Sequence, residues 1–293
     1  MNLTAVYVNT HRYDYTLTCI CVASVRYWYP DIEIYLIKDY GRGDFNTSLL
    51  QQQWNVKIYS TIKRRFGWGY GKLEPLFSQS PQSFLVLDSD TVLTGPVLDQ
   101  AQQCSDPFLV DDEVKTVKRF NEIYYNLDKT EILMKGFKYP GYSFNSGQWF
   151  GTTGYITKED FAAFIEWSEP PASKYLDIIF KGDQSVLNFV MHLKEQKGKL
   201  TVSRKKIMIW PAENNADFID LKKIKHRKAT YPYILHWAGM KFNKINCYTR
   251  ADILQFYQSF FYMNISSNQQ LKEKMRINYL PLEKWLRFKF FKK

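Results

Sequence analysis

The sequence predicts an α/β protein with a mostly parallel central sheet flanked by helices. Three observations point there. Short apolar runs alternate with segments of helical spacing through the first third of the chain, the pattern of a parallel sheet covered on both faces. At 293 residues the chain has room for one large domain, or for one domain with an appendage. One apolar run, Phe84 to Leu87, stops abruptly at Asp88-Ser89-Asp90. Open parallel sheets bind ligands beyond the carboxyl ends of their strands.

The elements follow in order. Leu3 to Val8 reads as a strand and Thr10 to Asp14 as a polar loop. Tyr15 to Tyr27 carries Leu17, Ile20, Cys21, Ser24 and Val25 at helical spacing, and Pro30 ends it. Ile32 to Ile37 is the next strand, Asn46 to Trp54 a helix, and Val56 to Tyr59 a strand. The glycine-rich loop Gly67-Trp68-Gly69-Tyr70-Gly71 has neither a Walker pattern nor a dinucleotide-binding register. It leads to a helix over Lys72 to Gln79 and so to the Phe84 strand. Further on, strands are expected at Phe108 to Val110, Gly147 to Ile156, Ile207 to Trp210 and Tyr233 to Trp237. Helices are expected at Lys158 to Trp167, capped by Thr157, and at Asp183 to Leu193, opened by Gly182-Asp183.

Composition bounds the function. Hydrophobic residues at 45% and charged residues at 24% are ordinary for a globular chain, whereas aromatics at 17% are high. Part of that excess suits clefts where rings stack on sugars or bases. The net charge of +11 favours an anionic partner. The last 22 residues, 272–293, hold eight Lys or Arg against two Glu, interleaved with Trp285, Phe288, Phe290 and Phe291. That mixture suits an anionic membrane surface. The four cysteines form no Cys-x-x-Cys pair, and Cys19 and Cys21 lie in an apolar run, which suits a reducing compartment. The N-terminus has no signal-peptide pattern and no window approaches a spanning helix. A cytoplasmic location, with contact to the inner membrane face, is therefore expected.

Residues two apart on a strand point to one side, so Asp88 and Asp90 can hold one hard divalent cation between them. With 17 Asp in the chain, roughly one Asp-x-Asp arises by chance, and a polar turn is the competing reading.

Five pieces in order carry a resemblance: Asp88-Ser89-Asp90; Lys72; Phe144-Asn145-Ser146-Gly147; Gly182-Asp183-Gln184 with Leu187-Asn188; and His236-Trp237-Ala238-Gly239. Together they resemble the retaining glycosyltransferases of family 8, which include glycogenin and bacterial lipooligosaccharide galactosyltransferases. The resemblance covers roughly residues 3 to 245 and implies the GT-A fold, with a nucleotide sugar as donor and Mn²⁺ as cofactor. It implies Asp88, Asp90 and His236 as metal ligands; an imidazole beside carboxylates suits Mn²⁺ better than Mg²⁺. It places Lys72 and Lys241 at the donor phosphates. Lys241 falls one residue short of the family's spacing and Phe242-Asn243 replace its Pro-Trp, so Lys244 is a rival. Ser89, Asn145 and Ser146 would line the donor site, together with Thr10 and Tyr15 from a loosely matching nucleotide segment. Asp183 and Gln184 would face the transferred sugar as the catalytic pair.

The expected organisation is a catalytic domain over 1–245 and a helical, basic and aromatic extension over 246–293. The expected activity is transfer of galactose or glucose from a UDP-sugar to a glycan or glycolipid acceptor with retention of configuration. An inverting transferase with Asp183 as base is the enzymatic alternative. An anionic-lipid or nucleic-acid binding module is the non-enzymatic one, although no nucleic-acid motif is present.

Overall fold

A computed structural model describes residues 1–276 except 68, 114, 181, 212–214, 229, 241–243 and 274. The chain opens with β1 (Leu3–His11), α1 (Tyr15–Trp28), β2 (Glu33–Asp39), α2 (Ser48–Trp54) and β3 (Val56–Ile58). A 3-10 helix, Tyr70–Phe77, leads into β4 (Ser83–Asp88) and the short return β5 (Thr91–Leu93). Next come α3 (Leu98–Gln102), β6 (Phe108–Asp111), α4 (Val117–Ile123), α5 (Thr130–Leu133), β7 (Gln148–Thr152), α6 (Lys158–Phe161), β8 (Ile165–Glu166) and β9 (Ala172–Ser173). The chain continues through α7 (Asp183–Gln196), β10 (Val202–Lys205), β11 (Met208–Ile209), α8 (Leu221–Lys225), β12 (Ile234–His236) and α9 (Ala251–Met263).

Seven strands form the central sheet in the order β10-β6-β7-β4-β1-β2-β3. Within it β7 runs against both of its neighbours, and the remaining pairs are parallel. The apolar runs split by the two-residue period of a strand. Val6, Val8, Leu85 and Leu87 enter the core layer under α1 and α9. Ala5, Tyr7, Phe84 and Val86 enter the opposite layer, which includes α7. Burial on both faces is what makes these strands read as continuous apolar runs. A second sheet, β11-β12-β5, stands at the carboxyl end of β4.

Two expected helices differ. The segment after Gly69 forms a 3-10 helix with Pro75 inside it, a residue whose ring would clash with the carbonyl four residues back in an α-helix. The helix expected to reach Trp167 stops at Phe161. Its Thr157–Asp160 capping box forms, but the chain is then captured by tertiary contacts. Ile165 pairs with Ser173 across β8–β9, and the Trp167 ring lies edge-on to Phe77 at 5.6 Å.

Past a 3-10 turn at Ile245–Cys247 comes α9, which belongs to the same core as α1. Ile253, Leu254, Tyr257 and Phe261 are buried there. The Phe261 ring stacks on Trp54 at 5.0 Å, and the Tyr257 hydroxyl donates to the Leu93 carbonyl at 2.6 Å. Among the described residues no helix is long and apolar enough to cross a membrane.

The packing predicts a contrast along α9. Phe261→Ala empties a buried, stacked site and costs about 3–5 kcal/mol of unfolding free energy. Met263→Ala, at a position 71% exposed, should stay within about 0.5 kcal/mol. Urea unfolding of the two variants measures both.

Candidate metal centre

The centre is built by one turn and one strand pairing. β4 ends at Asp88, and the chain reverses over Ser89-Asp90 into β5. β5 pairs antiparallel with β12, setting Leu93 opposite Ile234, Val92 opposite Leu235 and Thr91 opposite His236. That register brings His236 beside Asp90, and the Trp237 N–H seals it by donating to the Asp90 carbonyl at 3.0 Å. His236 Nε2 lies 3.2 Å from Asp90 Oδ1 and 3.9 Å from Asp88 Oδ2. One ligand atom from each of the three residues falls within 4.8 Å of the others.

Three features of this cluster fit a divalent cation. The donor set is two carboxylates and an imidazole, which suits Mn²⁺ and tolerates Mg²⁺. His236 is 2% exposed; among the described residues its buried Nδ1 has no hydrogen-bond partner, and its Nε2 faces the two acids. Gly147 leaves the space open. A Cβ there would lie 2.2 Å from His236 Cε1 and 2.8 Å from Asp88 Oδ2.

Beside the cluster lies a buried charge triad. Lys72, 4% exposed, places Nζ 3.1 Å from Asp88 Oδ1, 3.1 Å from Asp183 Oδ2 and 3.2 Å from Ser146 Oγ. Burial alone would lower the ammonium pKa, but Asp183 and Asp88 outweigh it and hold Lys72 above its ordinary value. Asp183 is pushed above the usual carboxylate value by burial, against the pull of Lys72. Gly69 makes room for the pair, since at φ +83° a Cβ would stand 2.2 Å from Asp183 Oδ1.

The opposite wall is an amide network. Asn188 clamps the Phe144 backbone, its Oδ1 accepting from Phe144 N at 3.1 Å and its Nδ2 donating to Phe144 O at 3.0 Å. Gln184 Oε1 accepts from Asn145 Nδ2 at 2.9 Å and from Ser146 N at 3.2 Å. Asn145 Oδ1 accepts from Gly147 N at 2.8 Å, and the Gly147 carbonyl accepts from Asp88 N at 2.7 Å. The first turn of α7 and the start of β7 are thereby tied to the metal cluster. With its oxygen used twice, Gln184 keeps its Nε2 hydrogens for another acceptor.

The structure thus brings together Asp88, Asp90, His236, Lys72, Asn145, Ser146, Asp183 and Gln184. Ser89 is buried beside Asp14, donating to its Oδ2 at 3.4 Å, and Asp14 pairs with His11 Nε2 at 2.9 Å. Thr10 is buried and spends its hydroxyl on Thr18 Oγ1 at 2.5 Å. Tyr15, expected at the donor site, is instead fully buried. Its ring packs edge-on to Phe45 at 6.0 Å, with the Arg276 guanidinium 3.5 Å from its centroid. Tyr13 is the partly exposed aromatic of that turn. Lys241 lies outside the described residues, and Lys244 is exposed. Sequence spacing gave no sign of Trp210, whose ring stacks on His236 at 5.2 Å. A cavity of about 540 Å³, with Arg12, Asp44 and Arg276 in its walls, lies on the side of β2 and α2; none of the three candidate ligands lines it.

No family model matches the sequence, and no curated protein matches it. Solved structures do match. The galactosyltransferase LgtC, in complex with donor and acceptor sugar analogs, is 15% identical with a TM-score of 0.54, over 92% of this chain and 99% of that one. The apo form of the bifunctional glycosyltransferase WbbM is 11% identical with a TM-score of 0.53, over 89% of this chain and 51% of that one. The apo glycosyltransferase GlyE of Streptococcus pneumoniae TIGR4 is 14% identical with a TM-score of 0.52, over 94% of this chain and 64% of that one. This chain therefore spans about half of WbbM and nearly all of LgtC. Likeness at these identities is likeness of fold: the chain has the GT-A fold of these glycosyltransferases, as its family-8-like motifs imply.

Proposed function

We propose that this chain is a metal-dependent glycosyltransferase that moves galactose or glucose from a UDP-sugar to a saccharide or glycolipid acceptor, with retention of configuration. The observation that carries the reading is the convergence of Asp88, Asp90 and His236 at the carboxyl end of β4, with Nε2 of the buried imidazole turned to both acids. LgtC, with which the chain shares its fold, is a galactosyltransferase solved with donor and acceptor sugar analogs. The acid cluster has no purpose in a nucleic-acid or lipid-binding module.

Asp88, Asp90 and His236 hold the cation, which supplies positive charge facing the donor pyrophosphate. Lys72 stays charged in its buried niche and adds a fixed positive group beside Asp88, on the side of Asp183. Lys241 or Lys244 reaches the phosphates from the chain after β12. Gln184 presents its Nε2 hydrogens to the sugar, with its orientation fixed by Asn145 and the Ser146 amide. Asp183, clamped by Lys72, faces positive charge developing at the sugar ring. Ser89, Ser146 and Asn145 line the donor site. Residues 272–293, most of which lie outside the described residues, bring the enzyme to an anionic membrane surface on the cytoplasmic side.

A panel of nucleotide sugars with Mn²⁺ tests the reading through released nucleoside diphosphate. UDP release from UDP-galactose or UDP-glucose is expected, and Asp88→Asn or Asp90→Asn should lower it by about 100-fold or more. No release from any UDP-hexose, with no stabilisation by UDP and Mn²⁺, rejects the assignment. Asp183→Asn should lower turnover far more than UDP affinity, and equal turnover rejects its role. The anomeric configuration of the product, read by NMR, separates retention from inversion.

Lys72→Met tests the triad through stability. Removing one member of a buried pair costs about 3–5 kcal/mol near pH 8. Asp183 already sits above its unfolded value and rises further without the ammonium, so the variant is penalised where the unfolded carboxyl is ionised. The deficit should shrink as pH falls toward the unfolded value of about 3.9, where the folded carboxyl is protonated. Urea unfolding across pH measures it, and a small, pH-independent deficit contradicts the buried pairing.

A further inference from the structure

The His236 imidazole lacks the support that ligating histidines ordinarily have. A metal-bound histidine almost always donates its second ring N–H to a carboxylate, carbonyl or water, which fixes the plane of the ring. Here both ring nitrogens are buried, and Nδ1 has no hydrogen-bond partner among the described residues. The neighbouring acid oxygens lie 3.2 and 3.9 Å from Nε2, so no polar group among the described residues orients Nδ1.

A ring face does the orienting. The Trp210 indole lies parallel to the imidazole, with centroids 5.2 Å apart and planes 20° apart. The ladder sets this up, because β11 runs parallel to β12 with Met208 opposite Ile234 and Ile209 opposite Leu235. The next position in register puts Trp210 alongside His236. The indole is itself anchored, its Nε1 donating to Glu113 Oε1 at 3.3 Å. Glu113 is 7% exposed and also accepts from Lys115 Nζ at 2.8 Å and from the Tyr124 hydroxyl. Its backbone exchanges two hydrogen bonds of 3.0 Å with Ser143, two residues before Asn145.

We propose that Trp210 is the positioning residue that sets the plane of the His236 imidazole for cation binding, replacing by stacking the hydrogen bond the ring lacks. The inference rests on the metal reading above. Without the indole the ring turns about its Cβ–Cγ bond, and Nε2 no longer converges with the two acids. Glu113 acts one step further back, holding the indole rather than the imidazole.

The test is Mn²⁺ binding to the full chain without nucleotide, followed by electron paramagnetic resonance, with melting temperature in EDTA as the control for folding. Trp210→Leu should weaken Mn²⁺ binding by about 10–100-fold, the usual effect of losing a group that orients a ligand. Trp210→Phe keeps a stacking ring and should retain most of the affinity. Trp210→Met supplies a second variant without a ring, should the Leu form not fold. Wild-type affinity in a folded Leu or Met variant overturns the inference, as does a loss in the Phe variant equal to theirs. Wild-type Mn²⁺ binding that His236→Ala abolishes and Trp210→Leu leaves intact overturns this inference alone. A wild-type chain that binds no Mn²⁺ overturns the metal reading and the inference together.

Discussion

The site depends on the pairing of β5 with β12. Asp88 and Asp90 come from one turn, and on their own they are an acidic corner at the end of a buried strand. The antiparallel register of β5 with β12 puts His236 opposite Thr91 and so within 3.2 Å of Asp90. A slip of one residue would turn the imidazole to the other face of the strand. The Trp237 amide bonded to the Asp90 carbonyl and the Thr94 amide bonded to the Tyr233 carbonyl pin the two ends of the pairing.

The second constraint is electrostatic. Lys72 is shared between Asp88, which belongs to the metal cluster, and Asp183, which opens α7. One buried ammonium thus couples the acid–imidazole cluster to the start of α7. Burying the three groups is expensive, and the geometry offsets that expense only while every member is present. The amide chain Asn188–Gln184–Asn145–Gly147 makes the same link through neutral hydrogen bonds. Two independent ties therefore hold the start of α7 against the carboxyl end of β4.

Much of this was legible in the sequence. Doubly covered strands read as apolar runs, and the acids at the end of Phe84 to Leu87 marked the mouth of the sheet. Tyr15 is instructive, because its fate was also legible. It stands four residues before Cys19 and seven before Val22, all three buried, so helical spacing places it on the core face of α1. The segment after Asp160 was not legible, because a strand pair formed with Ala172-Ser173 overrides a good helical pattern and a good cap. Nor was Trp210, since its meeting with His236 arises from the register of two short strands distant in sequence.

The core that joins α1 to α9 bears on how the chain comes off the ribosome. The apolar face of α1 is synthesised well before Tyr257 and Phe261, which share its core. Until α9 emerges, the side of α1 that it covers stays open, the kind of greasy surface that recruits chaperones and invites aggregation. The imidazole that completes the acid corner likewise follows the acids by a long stretch of chain. Nascent chains stalled before α9 should therefore be sticky.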